Sequence, residues 1–331
     1  MNNERTPIEK IKAYHSAKGY LSKKNQICLQ KMMGITEQDL KRLTGLDIET
    51  EFILTLYMLD ICNEIIGFDE GIARLTKVAC PDLYIELKDG KKLFIEIKEN
   101  NINLTKTGLE KMNKFAEKFQ AEFYVAVKQN GLWALYDYQY LYDRNPKKIN
   151  WNDDYKNSLF NELFGNITYF LPNNLLFECI YDKNLNLETA SHYKDCGSLE
   201  KLIIKYNDNV IFETQNRDEA EFICFNLEAI ITESSKLFHD EKHIDKTNKT
   251  TVRDKINLNS YDGMYINLFN LLLEPVIHTL KPNKEKYDFT SFLQNQYAQK
   301  DNIAEMRKNI IFCINLLKKV GYPIKEVQFS I

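Results

Sequence analysis

The stretch Pro81-Asp82-Leu83-Tyr84-Ile85-Glu86-Leu87-Lys88-Asp89-Gly90-Lys91-Lys92-Leu93-Phe94-Ile95-Glu96-Ile97-Lys98 holds two carboxylates and an ammonium that could do chemistry together, Asp82, Glu96 and Lys98. Side by side, the carboxylates suit a hard divalent cation. A lysine next to them can orient or deprotonate a water, while the cation offsets charge developing on a phosphate. Whether the three meet is a question of strand register. Leu83, Ile85 and Leu87 share one face of a strand, and Leu93, Ile95 and Ile97 share one face of the next. Burying both sets on one side requires opposed residues of equal parity. A two-residue Asp89-Gly90 turn opposes 88 to 91 and breaks parity. A three-residue loop over Lys88, Asp89 and a left-handed Gly90 opposes 87 to 91 and keeps it.

Asp82 then faces Glu96, with Cβ atoms about 4.5–5.5 Å apart, and Lys98 follows one pleat further along the same face. Like charges opposed on a sheet are destabilising unless something sits between them, and a divalent cation is the natural occupant. The competing reading is a solvated hairpin face, with Glu86–Lys92 as a cross-strand pair and no role for Asp82, Glu96 and Lys98. Tyr84 and Phe94 lie on that face too, which points to partial cover. A motif this short recurs by chance, so its surroundings decide.

The elements around the motif follow from periodicity and turn residues. Residues 7–33 read as one or two short helices, and Leu46 to Ile66 as an apolar helical stretch ending at Gly67. Strands at 82–88 and 92–98 flank Asp89-Gly90. An amphipathic helix follows at about 105–119, with Leu109, Met112, Phe115, Ala116 and Phe119 on its apolar face. Phe123 to Val127 and Trp133 to Tyr136 read as strands, separated by Asn130-Gly131. The polar stretch 143–154, with Pro146, is the best linker. Beyond it, strands are expected at 167–171, 175–181, 200–206 and 209–213, and helices at about 218–238, 262–280 and 302–320. The Lys-, Asn-, Asp- and Thr-rich segment 239–260 reads as an exposed loop. Three domains result: a basic helical arm at 1–44, an α/β core at 45–142, and an α+β C-terminal domain at 155–331.

The core resembles the PD-(D/E)xK nuclease superfamily, with its restriction-endonuclease-like fold, and within it the layout of archaeal-type Holliday junction resolvases. Gly45-Leu46-Asp47-Ile48-Glu49-Thr50-Glu51-Phe52 resembles the opening helix, with Glu49 in the place of its glutamate. Pro81-Asp82 and Glu96-Ile97-Lys98 supply the motif, Lys111 to Val127 resembles the next helix and buried strand, and Trp133-Ala134-Leu135-Tyr136 the strand after it. The likeness covers about 45–137; the long segment between Glu49 and Asp82, and everything after the core, have no counterpart in a minimal resolvase. The resemblance implies a helix, mixed sheet and helix, and a magnesium-dependent endonuclease acting on DNA, with manganese able to substitute. Asp82 and Glu96 would bind the metal, helped by the Ile97 carbonyl. Lys98 would position or activate the attacking water, and Glu49 would add a carboxylate. Glu51 competes for that last role from another side of the helix. The extra C-terminal domain suits restriction or defence against foreign DNA. The alternatives are a structure-specific recombination or repair nuclease and a catalytically inert nucleic-acid-binding module.

Lys111, Lys114 and Lys118 form a stripe opposite the apolar face of their helix, and Arg74 and Lys77 precede the Asp82 strand. All five are candidate phosphate contacts, though a solvated face balanced by Glu110 and Glu117 explains the stripe equally well. His239 and His243 lack a third ligand and read as a surface pair. The net charge of −3 does not advertise a nucleic-acid partner, but its distribution is uneven. Residues 1–44 hold nine Lys or Arg against four Asp or Glu, and residues 45–140 eleven against sixteen. A basic arm beside an acidic core is compatible with phosphate steering next to a carboxylate cluster. The seven cysteines show no CxxC pair, so buried free thiols are expected. With no membrane-length apolar run and no signal peptide, a cytoplasmic protein without a membrane partner is expected. One site per chain, set against two strands to cut, points to a homodimer. Residues 155–331 are expected to serve dimerisation or target recognition; the apolar helices at 268–277 and 309–317 are candidates for pairing the two chains, or else form the core of their own domain.

Overall fold

The computed structural model describes residues 13–14, 17–18, 20–68, 79–99, 102, 104–129, 132–144, 155–185, 196–227, 229–231, 239–244, 248–256, 262–279, 292 and 294–327. Residues 13–14 and 17–18 are helical and precede helix α1 (Lys23–Met33), which Ser22 caps at its start and Gly34, in the left-handed region, ends. Helix α2 (Glu37–Leu59) follows and stops at Asp60, whose φ of 52° breaks the helical path. The next apolar residues form strand β1 (Cys62–Gly67), so the helix expected to run to Gly67 ends earlier. Asp60, Asn63 and Glu64 interrupt the apolar stretch, and Ile65 and Ile66 are β-branched, which favours a pleated strand over a helix.

Strands β2 (Leu83–Leu87) and β3 (Lys92–Glu99) make the central hairpin. Helix α3 (Lys106–Glu117), β4 (Glu122–Gln129), β5 (Leu132–Asp137), α4 (Tyr138–Arg144) and the short α5 (Phe160–Phe164) complete the first unit. Its sheet runs β1-β2-β3-β4-β5, antiparallel except where β3 and β4 pair in parallel across the α3 crossover. Parallel pairing places β3 at the centre of the sheet, and residues 93–97 are all buried. One face packs on α2, where Phe52 meets Trp133 edge-on at 4.8 Å between ring centroids. The opposite face packs on α3, where Leu109 and Ala116 join Phe94, Phe123, Val125 and Val127 in one core.

The polar stretch 143–154 is not where the chain divides. Ser158 Oγ accepts a hydrogen bond from the Leu135 amide at 3.0 Å, and the Leu159 amide donates to the Leu135 carbonyl at 2.8 Å. Phe160 and Phe164 then pack on Phe52. Residues 155–166 therefore belong to the first unit, and the second comprises 167–279 and 295–328. The polar run signalled a linker but not the aromatic residues beyond it that cover the sheet.

The second unit opens with β6 (Thr168–Pro172), β7 (Leu175–Asp182), β8 (Ser198–Tyr206), β9 (Asn209–Thr214) and α6 (Arg217–Asn226). It continues with β10 (His239–Ile244), β11 (Lys249–Lys255), β12 (Gly263–Asn267), α7 (Leu268–Thr279), α8 (Lys300–Lys319) and β13 (Lys325–Glu326). A five-stranded antiparallel sheet runs β10-β11-β7-β8-β9, and a smaller one β12-β6-β13. The expected loop at 239–260 thus contains a strand pair. Its inward positions on β11 are Thr250, Val252 and Asp254, so two of three buried side chains are polar and the apolar alternation is masked. The helix expected over 262–280 begins only after β12, at Leu268.

Candidate active site

The β2–β3 ladder pairs Leu83 with Ile95, Tyr84 with Phe94, Ile85 with Leu93 and Glu86 with Lys92. The Leu87 amide donates to the Lys91 carbonyl at 2.9 Å, and the Gly90 amide donates to the Leu87 carbonyl at 2.9 Å. Gly90 has φ of 87°. This is the three-residue loop that the alternation requires, and continuing the register one step brings Asp82 opposite Glu96.

At that step the ladder changes character. The Ile97 amide donates to Asp82 Oδ2 at 2.7 Å, so a side chain takes the place of the next backbone rung. Glu96 is buried, at 6% exposure, where the central strand is covered on both faces. Lys98 Nζ donates to Glu96 Oε1 and, at 3.1 Å, to the Ile97 carbonyl. Burial alone would lower the Lys98 pKa, but the charges of Glu96, Asp82 and Glu49 and the hydrogen bond to Glu96 outweigh it and raise it above the ordinary lysine value. The amine is therefore held as an ammonium among carboxylates.

The two glutamates of α2 separate by partner. Glu51 is buried and ion-paired with Lys128 on β4. Lys128 lies beside Glu99 in the parallel pair, on the face opposite Glu96 and Lys98. Glu49 is half-buried, and its charge acts on Lys98. A residue the sequence reading passed over is Cys80, two positions before Asp82. Burial and then the charges of Asp82 and Glu96 push its thiol up to about 11, so it stands in the field of both carboxylates as a neutral group. The i, i+2 spacing to Asp82 was the available signal.

Lys111, Lys114 and Lys118 are exposed, while Leu109 and Ala116 of the same segment are buried. Arg74 and Lys77 lie outside the described residues, as do the side chains of His239 and His243. No three His, Cys, Asp or Glu side chains gather to hold a metal among the described residues. The oxygen set at the end of β3 is therefore two carboxylates and the Ile97 carbonyl. That set fits a small hard cation, since magnesium keeps several of its own waters and is commonly bound through one or two carboxylates. It does not fit zinc, which favours nitrogen and sulfur ligands.

Aromatic rings crowd the same face. Phe94 meets Tyr84 at 5.3 Å, Phe115 at 5.3 Å, Phe119 at 5.5 Å and Phe68 at 5.7 Å between centroids. The face bearing Asp82, Glu96 and Lys98 is thus apolar beside the charged residues, not a solvated hairpin surface. No helix among the described residues is long and apolar enough to cross a membrane. The seven cysteines are free thiols; Cys179, Cys196 and Cys313 are buried, whereas Cys62, Cys80 and Cys224 are half-buried and Cys28 is exposed, against the expectation of burial.

Residues 72–160 match the family described as archaeal Holliday junction resolvase (hjc), one of the PD-(D/E)xK nuclease superfamily. The match spans β2 to the turn that covers β5, and so contains Asp82, Glu96 and Lys98 but neither α2 nor the second unit. A search of curated proteins finds no match.

Proposed function

We propose that this chain, whose residues 72–160 carry a resolvase-type nuclease segment, hydrolyses phosphodiester bonds in DNA with the help of a divalent metal. The observation that carries the reading is the meeting of Asp82, Glu96 and Lys98 at the end of the β2–β3 ladder, within the matched segment. Asp82, Glu96 and the Ile97 carbonyl are the residues that would hold magnesium or manganese. The metal, when bound, supplies positive charge to the phosphate and makes water more acidic. The chain's own contribution is positioning. The Ile97 amide fixes the Asp82 carboxylate, burial fixes Glu96, and Lys98 presents a cation that can hold a water in line with the phosphorus. Glu49 is the further carboxylate for this cluster.

For the substrate, the family match favours branched DNA, and so a recombination or repair role, over the restriction or defence role that the large C-terminal region suggests. The second unit, 167–279 and 295–328, is the one feature supporting restriction, since it lies outside the matched segment. Incubation with linear, circular, single-stranded and four-way-branched DNA, with magnesium, manganese or EDTA, separates the readings. Metal-dependent cutting concentrated near the branch point is expected. Cutting of linear duplex at a fixed sequence would move the role to restriction, and no cutting of any substrate would leave an inert binding module.

A further inference from the structure

From Lys10 to Thr36 the chain holds six lysines (Lys10, Lys12, Lys18, Lys23, Lys24 and Lys31) and no Asp or Glu. A merely solvated helix mixes the two signs along its face. Here one sign prevails, and α1 is built to present it. Its inner side is anchored: Gln26 Nε2 donates to the Lys18 carbonyl at 2.9 Å and to the Leu21 carbonyl at 3.0 Å. Gln30 Nε2 donates to the hydroxyl of the buried Tyr14 at 2.6 Å, and Leu29 and Met33 pack on that ring.

The outer side is uncovered. Lys23, Lys24, Ile27, Cys28, Lys31 and Met32 are all exposed, Met32 at 79%, and no side chain of the helix is buried. Lys24 and Lys31 lie seven residues apart, two turns along one stripe, with Ile27 and Cys28 between them. An anchored helix that offers cations without neighbouring carboxylates in its own segment complements a polyanion. A helix that lies on an anionic membrane gathers its apolar residues on one face. In α1 they are divided, with Leu29 and Met33 turned to Tyr14 and Ile27 set among the lysines.

We propose that α1 docks on the phosphate backbone of nucleic acid through Lys23, Lys24 and Lys31, as a contact additional to the candidate active site. The identity of the polyanion rests on the nuclease reading. The test uses the full chain in EDTA, with a labelled short DNA duplex and fluorescence anisotropy over a salt series. Wild type is compared with Lys23→Gln/Lys24→Gln/Lys31→Gln and with the corresponding triple glutamate variant. Each phosphate contact contributes about 0.9 to the slope of log affinity against log salt. The glutamine variant should therefore lose about two to three units of slope and bind at least about tenfold more weakly near physiological salt, the glutamate variant more weakly still, with circular dichroism unchanged. Unchanged slope and affinity in both folded variants overturn the proposal, as does a wild type that binds no duplex. Lysine-dependent binding to phosphatidylserine vesicles with unaltered duplex binding would also overturn it, assigning the helix to a lipid surface. Wild-type cleavage with magnesium or manganese is scored separately. Its absence alongside lysine-dependent duplex binding removes the enzyme and leaves the docking helix.

Discussion

Lys98 touches Glu96 and the Ile97 carbonyl at once, so its ammonium offsets part of the carboxylate charge at the end of the central strand. Replacing it tests positioning apart from binding. Lys98→Ala should lower the single-turnover cleavage rate by about 10²–10⁴-fold, while duplex affinity measured in EDTA stays near the wild-type value. Wild-type rates in this variant would remove Lys98 from the reaction. The two α2 glutamates make a second comparison. Glu51→Ala strands Lys128 and should cost about 2–3 kcal/mol in thermal or denaturant unfolding, toward the low side for a broken buried pair because Lys128 keeps some solvent. Glu49→Gln should leave the melting temperature nearly unchanged and slow cleavage instead. The reverse pattern would exchange their roles. The Asp82–Glu96 meeting was legible in the sequence because apolar alternation on both strands fixes parity. The Glu51–Lys128 pair was not, because its partners lie 77 residues apart and meet only through the parallel placement of β4.

The β2–β3 loop stands on Gly90, whose φ of 87° is costly for any residue with a Cβ, although a Cβ there would meet nothing within 4 Å. Gly90→Ala should therefore destabilise the protein by about 1–2 kcal/mol through backbone strain alone, seen as a lower melting temperature, with cleavage per folded molecule retained. Beside this loop, Lys91 Nζ meets Glu122 Oε2 of β4 at 3.0 Å, and Tyr124 donates its hydroxyl to the same carboxylate. Burial would raise the Glu122 carboxyl, but these hydrogen bonds and the Lys91 charge hold it below its ordinary value. A carboxyl lowered in the folded state contributes stability above its unfolded value and loses it as pH falls through the folded one. The wild-type melting temperature should thus fall more steeply with acidification than that of Glu122→Gln, and the two curves should converge at low pH; parallel curves would discard the coupling. Elements with clean alternation or helical apolar periodicity, such as β2, β3, α3 and α8, were legible in the sequence. Those that failed did so for two reasons: β1 follows a helix within one apolar-rich stretch, and β11 buries Thr250 and Asp254 where apolar residues would have marked it.

Across the whole chain, the apolar helices that sequence offered for pairing are largely occupied at home, although Phe312 of α8 is 60% exposed. Leu268, Phe269, Leu271, Leu272, Leu273 and Val276 of α7 are buried, as are Ile303, Met306, Ile310, Cys313, Ile314 and Leu317 of α8. Pairing of two chains therefore rests on the single site per chain. Light scattering on the full-length protein should give a dimer that makes paired cuts, and a monomer that still severs both strands would exclude it. The side-chain rung from Ile97 to Asp82 has a consequence for the chain as it is being synthesised. A two-stranded hairpin alone is marginal in water, and β3 becomes the central strand only when β4 has paired along its other edge. A nascent chain that ends before β4 therefore contains Glu49, Asp82, Glu96 and Lys98 but not yet the sheet that arranges them. On the proposed reading, cleavage is therefore expected only from chains in which β4, the strand that follows α3, has emerged and paired with β3.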